Sequence, residues 1–365
     1  MSRGNRNEGP GGSRRDRAGR PSPHATTGGT AAGNGPARKV GRGVLASGMK
    51  HRPVDVICAG MYRACSTWQY EVAAHLVEHH RDGTRSGYLT AAEYAESARE
   101  KPAGWRVIKS HDAHPCFTRA IVEGRAVAIY AYRDVRDVAF SLMHKRRLTF
   151  DRLLQQGMIH QVLANDRYWT EQPNVLIQRY DEILADPVAA VRTIAQHLGI
   201  RPAAGEAERI ASEYSLEANK ARTEALRRQI EQSGVNLHEA SSAQICDPGT
   251  LLHWNHVRDG RTGSWLDESG PRDRAILDRL CGRWLAARGY PPSPREMWAA
   301  SIGDRLRIER DILRGWASCQ ARTASERFPR LAAVARRMLG RTPTTPVGAT
   351  AWGKSSGENG ERRPA

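Results

Sequence analysis

Four short segments hold residues whose types and spacing suit the handling of a phosphorylated ligand. The first is Gly60-Met61-Tyr62-Arg63-Ala64-Cys65-Ser66-Thr67-Trp68. Backbone amides opening a helix here would point at an anion, and the helix dipole favours one. Arg63 adds a fixed cation with bidentate reach, and Ser66 and Thr67 add hydroxyl donors. The terminal Gly-Lys-Ser/Thr of a Walker A loop is missing, which weakens a Mg²⁺-dependent NTPase. The second segment, Ile108-Lys109-Ser110-His111, falls at a strand end. A histidine there suits general-base work on a hydroxyl, because its pKa lies near neutrality. His114 is close enough in sequence for a metal pair with His111, yet no further ligand cluster supports one. In the third segment Arg133 sits at a strand tip and Ser141 about two helical turns further on. That spacing lets a guanidinium and a hydroxyl converge on one phosphate. The fourth, Val257-Arg258-Asp259-Gly260-Arg261-Thr262-Gly263-Ser264-Trp265, combines glycines and arginines suited to close backbone approach to another phosphate. Taken alone, each segment also fits an ordinary role: a capped helix, a satisfied loop histidine, an Arg–Asp pair, a solvated turn.

Strands and helices alternate around these segments. Val54–Ala59 is a short apolar run ending at Gly60 and predicts a buried strand. Ser66 is placed to cap a helix whose Trp68, Val72, Leu76 and Val77 share one face. Further strands are predicted over Trp105–Lys109, Ala126–Tyr132 and Val175–Gln178. Helices are expected from Arg136 to His144 and from Pro187 to Leu198, the latter stopped by Gly199. Such alternation indicates an α/β fold, a parallel sheet flanked by helices with a P-loop-like nucleotide-binding core. Ligands collect at the carboxyl ends of the strands in such sheets. Beyond the sheet the chain reads as helical, over Leu216–Gln232, Pro271–Arg288, Pro294–Trp316 and Ser325–Leu339.

Composition divides the chain. The net charge of +17 is carried by the flanks: +8 in residues 1–50 and +7 in 301–365, against +2 in 51–300. Basic tails serve solubility or loose attraction to polyanions, so specific nucleic-acid recognition is not expected. Residues 1–50 and 342–365 are poor in large apolar side chains and are expected to be disordered. Between them lie a compact domain over 51–293 and a helical C-terminal extension over 294–341. Six scattered cysteines without a CxxC pair point to reduced thiols. No apolar run approaches the length of a membrane span, and the cytoplasm is the expected location.

The four segments, in this order, resemble the sulfotransferases that use 3′-phosphoadenosine 5′-phosphosulfate (PAPS). The first is similar to that family's Pro-Lys-Ser-Gly-Thr-Thr-Trp loop around the 5′-phosphosulfate. The family's lysine falls on Arg63, its threonines on Ser66 and Thr67, and its tryptophan on Trp68, so Ala64 and Cys65 join the cofactor-binding set. Lys109-Ser110-His111 resembles Lys-Thr-His and makes His111 the implied catalytic base. Arg133 and Ser141 match the 3′-phosphate Arg and Ser at the family's separation. Tyr180 resembles the Tyr of a Tyr-Glu-Asp element after the fourth strand. Arg258, Asp259 and Gly260 match Arg-Lys-Gly at the 3′-phosphate. Asp259 thus replaces a cation and Arg63 a lysine, departures that bear on donor affinity and on leaving-group chemistry.

The resemblance implies an in-line sulfuryl transfer without a metal. His111 would take a proton from an acceptor hydroxyl or amine, while Arg63, Lys109 and the loop amides stabilise charge on the transferring group. Ser141 would hold Arg63 away from the sulfate until the acceptor arrives. A P-loop phosphotransferase using ATP and Mg²⁺ is the rival enzyme. A basic binding protein working through its tails is the non-enzymatic rival, although no aromatics interleave the tail arginines for base stacking. The acceptor, a small molecule or a glycan, would be bound by Thr84–Lys101, Lys145–Trp169 and Gln229–Leu252, where the polar Gln229–Asp247 favours a glycan.

Overall fold

The computed structural model describes residues 54–98, 104–237, 244–258, 260–294 and 301–328, and Asp259 lies outside them. In chain order the elements are β1 (Asp55–Gly60), α1 (Ser66–His80), β2 (Gly83–Tyr88), α2 (Ala91–Ser97), β3 (Trp105–Lys109), α3 (Pro115–Val122), β4 (Ala126–Tyr132), α4 (Val135–Arg146), α5 (Phe150–Gln155) and α6 (Met158–Glu171). They continue with β5 (Val175–Arg179), α7 (Tyr180–Ala185), α8 (Pro187–His197), α9 (Glu206–Glu213), α10 (Leu216–Gln232), α11 (Trp265–Glu268), α12 (Pro271–Ala287) and α13 (Ile302–Arg327).

The strands form one fully parallel sheet in the order β2-β3-β1-β4-β5. Val54–Ala59 and Ala126–Ala131 are buried throughout, as apolar runs become when helices cover both faces of a sheet. α1 packs on β1, β2, β3 and β4, and α3 and α6 also pack on β4. After β1 the chain crosses toward β2, and after β4 it crosses the other way toward β5. With right-handed crossovers these two connections leave by opposite faces and open a crevice between the carboxyl ends of β1 and β4. The first and third sequence segments begin at those two strand ends.

The strands expected from apolar runs occur with shifts of a residue at most. β2 was not expected. It is a half-exposed edge strand containing Gly83 and Gly87, and its register on β3 shifts between Arg85 and Tyr88. No periodic apolar signal survives in such a strand. Ser66 does not cap α1. The cap position belongs to Cys65, in left-handed backbone at φ 68°, and Ser66 is already helical. The expected pair of C-terminal helices is also corrected. One continuous helix, α13, runs through both Trp316 and Ser325, while 295–300 and 329–339 lie outside the described residues. Nothing between Trp316 and Ser325 breaks a helix, and the segment is fastened to α5 by Ser318 Oγ on Gln155 O at 3.0 Å and Arg322 on Gln156 O at 2.6 Å. The predicted tails at 1–50 and 342–365 lie outside the described residues.

Candidate functional site

The crevice is a cleft of about 380 Å³ lined by Arg63, Ala64, Cys65, Ser66, Thr67, Trp68, Arg133, Ser141, Tyr180, Arg258 and Gly260. Eleven of the residues singled out in the sequence therefore surround one space. Tyr214, which ends α9, and Leu216, which opens α10, also line it. Two glycines make room for it. A Cβ at Gly60 would meet Ser66 Cβ at 2.9 Å and Ala131 O at 3.0 Å, and a Cβ at Gly260 would meet Leu216 Cδ2 at 2.5 Å. Gly260 also has φ 74°, a conformation that costs a non-glycine residue. Arg63 and Cys65 adopt left-handed backbone as well, at φ 65° and 68°. Such non-glycine strain costs about 1–3 kcal/mol per residue, and here it curls the amides at the start of α1 around the cleft.

Around Arg133 the cleft wall is braced from several sides. The guanidinium stacks on the Tyr180 ring at 4.3 Å and pairs with Asp137 at 3.2 Å. Asp137 also accepts from Gly263 N at 2.9 Å and Trp265 N at 3.1 Å, so one carboxylate ties the fourth segment to α4. Tyr180 donates to Gly260 O at 3.3 Å. Arg258 reaches Glu268 at 3.0 Å and Ser264 Oγ at 2.7 Å. Arg133 keeps its Nε buried without a hydrogen-bond acceptor.

Arg63 and Ser141 meet directly, Nε donating to Oγ at 2.9 Å, while Arg63 Nη1 is buried without an acceptor. Lys109 and His111 do not line the cleft. Lys109 is buried and donates to Thr67 Oγ1, so its charge acts on the cleft through the wall. His111 Nδ1 lies 2.9 Å from Gly60 O. A carbonyl only accepts, so Nδ1 carries the proton and Nε2 is the basic nitrogen. Burial, reinforced by the Lys109 charge, pushes the imidazole down to about 3, which keeps it neutral. Tyr62 stands beside it, ring centroids 4.8 Å apart.

Lys145 was missed at this point of the sequence. It lies one turn beyond Ser141 on α4, half-buried, with no hydrogen bond or ion pair among the described residues. Burial, followed by repulsion from Arg63 and Lys109, brings its ammonium down to about 7. Burial likewise lowers Lys109 to about 8 and, with repulsion from Arg133, Arg63 to about 10. His256 lines the cleft, with His253 beside it at 5.5 Å between ring centroids, and both were also missed. Burial and the Lys145 charge push His253 down to about 3 and His256 well below its ordinary value. Lys145 stands in a His-Lys-Arg-Arg run that reads as a solvated helix end; its i, i+4 relation to Ser141 was the available signal. Among the described residues no group of three or more His, Cys, Asp or Glu gathers as metal ligands would.

Fold and cleft define a parallel α/β protein with a cationic pocket at its topological switch point. The chain belongs to the sulfotransferase domain family, whose model matches residues 53–289. It is a sulfotransferase. A comparison with curated proteins finds no match. Among solved structures it is similar to a mouse sulfotransferase complexed with PAP, at 19% identity over 66% of this chain and 91% of that one, TM-score 0.49. It is also similar to retinol dehydratase in complex with androsterone and inactive cofactor PAP, at 19% identity over 68% and 84%, TM-score 0.46. No helix of the described residues is long and apolar enough to cross a membrane.

Proposed function

We propose that the protein transfers a sulfuryl group from PAPS to a hydroxyl or amine acceptor, with His111 as general base. The observation that carries this is the convergence of the post-β1 loop with Arg63, Arg133 with Ser141, and Arg258 with Gly260 on one cleft, with the Lys109 and Lys145 charges acting on Arg63 from outside its lining. The donor's 3′-phosphate would lie at Arg133 and Arg258, and its phosphosulfate at Arg63 and the α1 amides. His111 Nε2 would accept the acceptor's proton as the acceptor atom bonds to sulfur. The bond from sulfur to the phosphate oxygen would break, leaving adenosine 3′,5′-bisphosphate with its charge stabilised by Arg63 and Lys109. The 2.9 Å contact between Arg63 and Ser141 supports a resting position for Arg63 away from the sulfate. The donor's negative charge would also raise the His111 pKa and make it a better base.

Tyr62, Tyr88 and Lys145 surround His111 and suit a polar acceptor, a small molecule or a glycan. The six cysteines are free, which supports work in a reducing compartment such as the cytoplasm. The family places Asp259 at the 3′-phosphate, and it lies outside the described residues.

Thermal unfolding with nucleotides tests the donor. Adenosine 3′,5′-bisphosphate at one hundred times its dissociation constant should stabilise the protein by about 2.7 kcal/mol. ADP, lacking the 3′-phosphate, should do far less, and Arg133→Ala should remove most of the difference. Equal stabilisation by both nucleotides rules the donor out. Transfer of radiolabelled sulfate to a panel of acceptors then tests the reaction itself.

A further inference from the structure

His256 belongs to none of the roles above, yet it touches the residue at the centre of the cleft wall. We infer that His256 is a positioning residue that fixes the Thr67 hydroxyl as a hydrogen-bond donor to the 5′-phosphate end of the bound nucleotide. The inference rests on the PAPS reading of the cleft.

The tautomer of His256 follows from its neighbours. The His253 backbone N–H can only donate, and it reaches His256 Nδ1 at 3.2 Å. Nδ1 is therefore the bare nitrogen and Nε2 carries the hydrogen. Nε2 lies 3.2 Å from Thr67 Oγ1 and donates to it. The Lys109 ammonium donates to the same oxygen. A hydroxyl has two lone pairs and one proton, so both acceptor positions of Thr67 are occupied. Its proton must be given away. No other contact of Thr67 takes it among the described residues, and Thr67 lines the cleft while only 5% exposed. The proton therefore projects into the cleft, toward the space assigned to the anion.

Each donor alone leaves the hydroxyl free to rotate and to present a lone pair to the ligand. Two donors together leave one orientation, and both polarise the O–H bond toward stronger donation. A neutral His256 is required, because a proton on Nδ1 would face the His253 N–H. Burial among Lys145, Lys109 and Arg63 keeps the ring neutral.

Calorimetric affinity for adenosine 3′,5′-bisphosphate, which retains the 5′-phosphate, tests this. His256→Asn keeps an acceptor for His253 N–H but is too short to reach Thr67, and it should weaken binding about tenfold. His256→Phe should do the same. His256→Gln carries an amide N–H near the Nε2 position and should recover more than half of the loss. Thr67→Val should weaken binding on its own, and His256→Asn added to Thr67→Val should change nothing further. Equal losses from His256→Asn with and without Thr67 would make His256 merely structural and overturn the inference alone. Failure of the wild-type protein to bind the nucleotide would overturn the PAPS donor and this inference together.

Discussion

The two ends of the cleft hold their cations differently. At the end assigned to the 3′-phosphate, Arg133 is paired with Asp137 at 3.2 Å and Arg258 with Glu268 at 3.0 Å. At the other end neither Arg63, which is in the lining, nor Lys109 and Lys145, which are outside it, have an ion pair among the described residues. Paired guanidinium groups keep the pocket's shape without a ligand, and an arriving phosphate competes with the carboxylates already there. Unpaired cations held partly or wholly out of water are unfavourable without a ligand, and an arriving anion relieves that penalty. One end is built for placement. The other is built to respond to charge, which is what a site needs where charge develops during reaction.

From that division, the largest effects follow on removing groups beside the responsive end that act only during transfer. His111→Ala should lower turnover by about 10²–10⁴-fold. Affinity for adenosine 3′,5′-bisphosphate should hold, because His111 does not line the cleft. Single-turnover rates beside calorimetry measure both. A folded variant that binds nucleotide and turns over at the wild-type rate would return His111 to a structural loop role.

Arg63 comes next and should affect both quantities. Arg63→Ala should reduce turnover by about 10²–10³-fold, the range found for a lost transition-state donor. It should also weaken nucleotide binding, since Arg63 lines the cleft and bonds Ser141. Arg63→Lys should keep much of the rate while losing the bidentate contact. A loss of affinity with no change in turnover would move Arg63 to the placement end.

Proton linkage gives a smaller effect with a defined sign. Burial holds Lys109 near 8 and Lys145 near 7 in the free protein. A bound anion favours their charged forms, so the complex holds more protons than the free protein. Affinity should therefore rise as pH falls from about 9 toward 7 and level off once both are protonated, a change of about tenfold for one unit of pKa difference. Above about pH 6.5 the ligand's phosphates are largely dianionic, so the trend reports the lysines. Lys145→Met should flatten it. Affinity that is constant across this range would mean that the lysines do not sense the anion.

The central strands were legible because β1, β3 and β4 are buried on both faces and spell apolar runs. β2 was not, because an edge strand with Gly83 and Gly87 carries no alternation to read. Within the site, the residues that follow a strand end were legible, since Arg63 and Arg133 sit where a chain must turn from sheet to helix. Lys145, His253 and His256 were not. The Lys145 charge meets those of Arg63 and Lys109, both far from it in sequence, and His256 meets Thr67 across 189 positions of chain. Local spacing carries no record of such meetings. Cys65, and not Ser66, takes the cap position of α1, because the loop is shaped by its left-handed turns more than by side-chain capping.

The smallest expected effect tests the placement end with the opposite sign. Glu268 is partly exposed, pairs with Arg258 at 3.0 Å and lies 2.5 Å from His144. Its carboxylate would compete with a 3′-phosphate for the Arg258 guanidinium. Exposed pairs of this kind contribute about 0.2–1 kcal/mol, so Glu268→Gln should barely change the unfolding midpoint. With the competing charge removed, Arg258 turns more readily to the nucleotide, and affinity for adenosine 3′,5′-bisphosphate should tighten by about fivefold or less. ADP, with no 3′-phosphate to gain from the released guanidinium, should bind as before. Weaker binding of the bisphosphate by Glu268→Gln would show that the carboxylate aims Arg258 into the cleft instead of competing for it. Equal tightening for both nucleotides would detach Arg258 from the 3′-phosphate and collapse the contrast between the two ends.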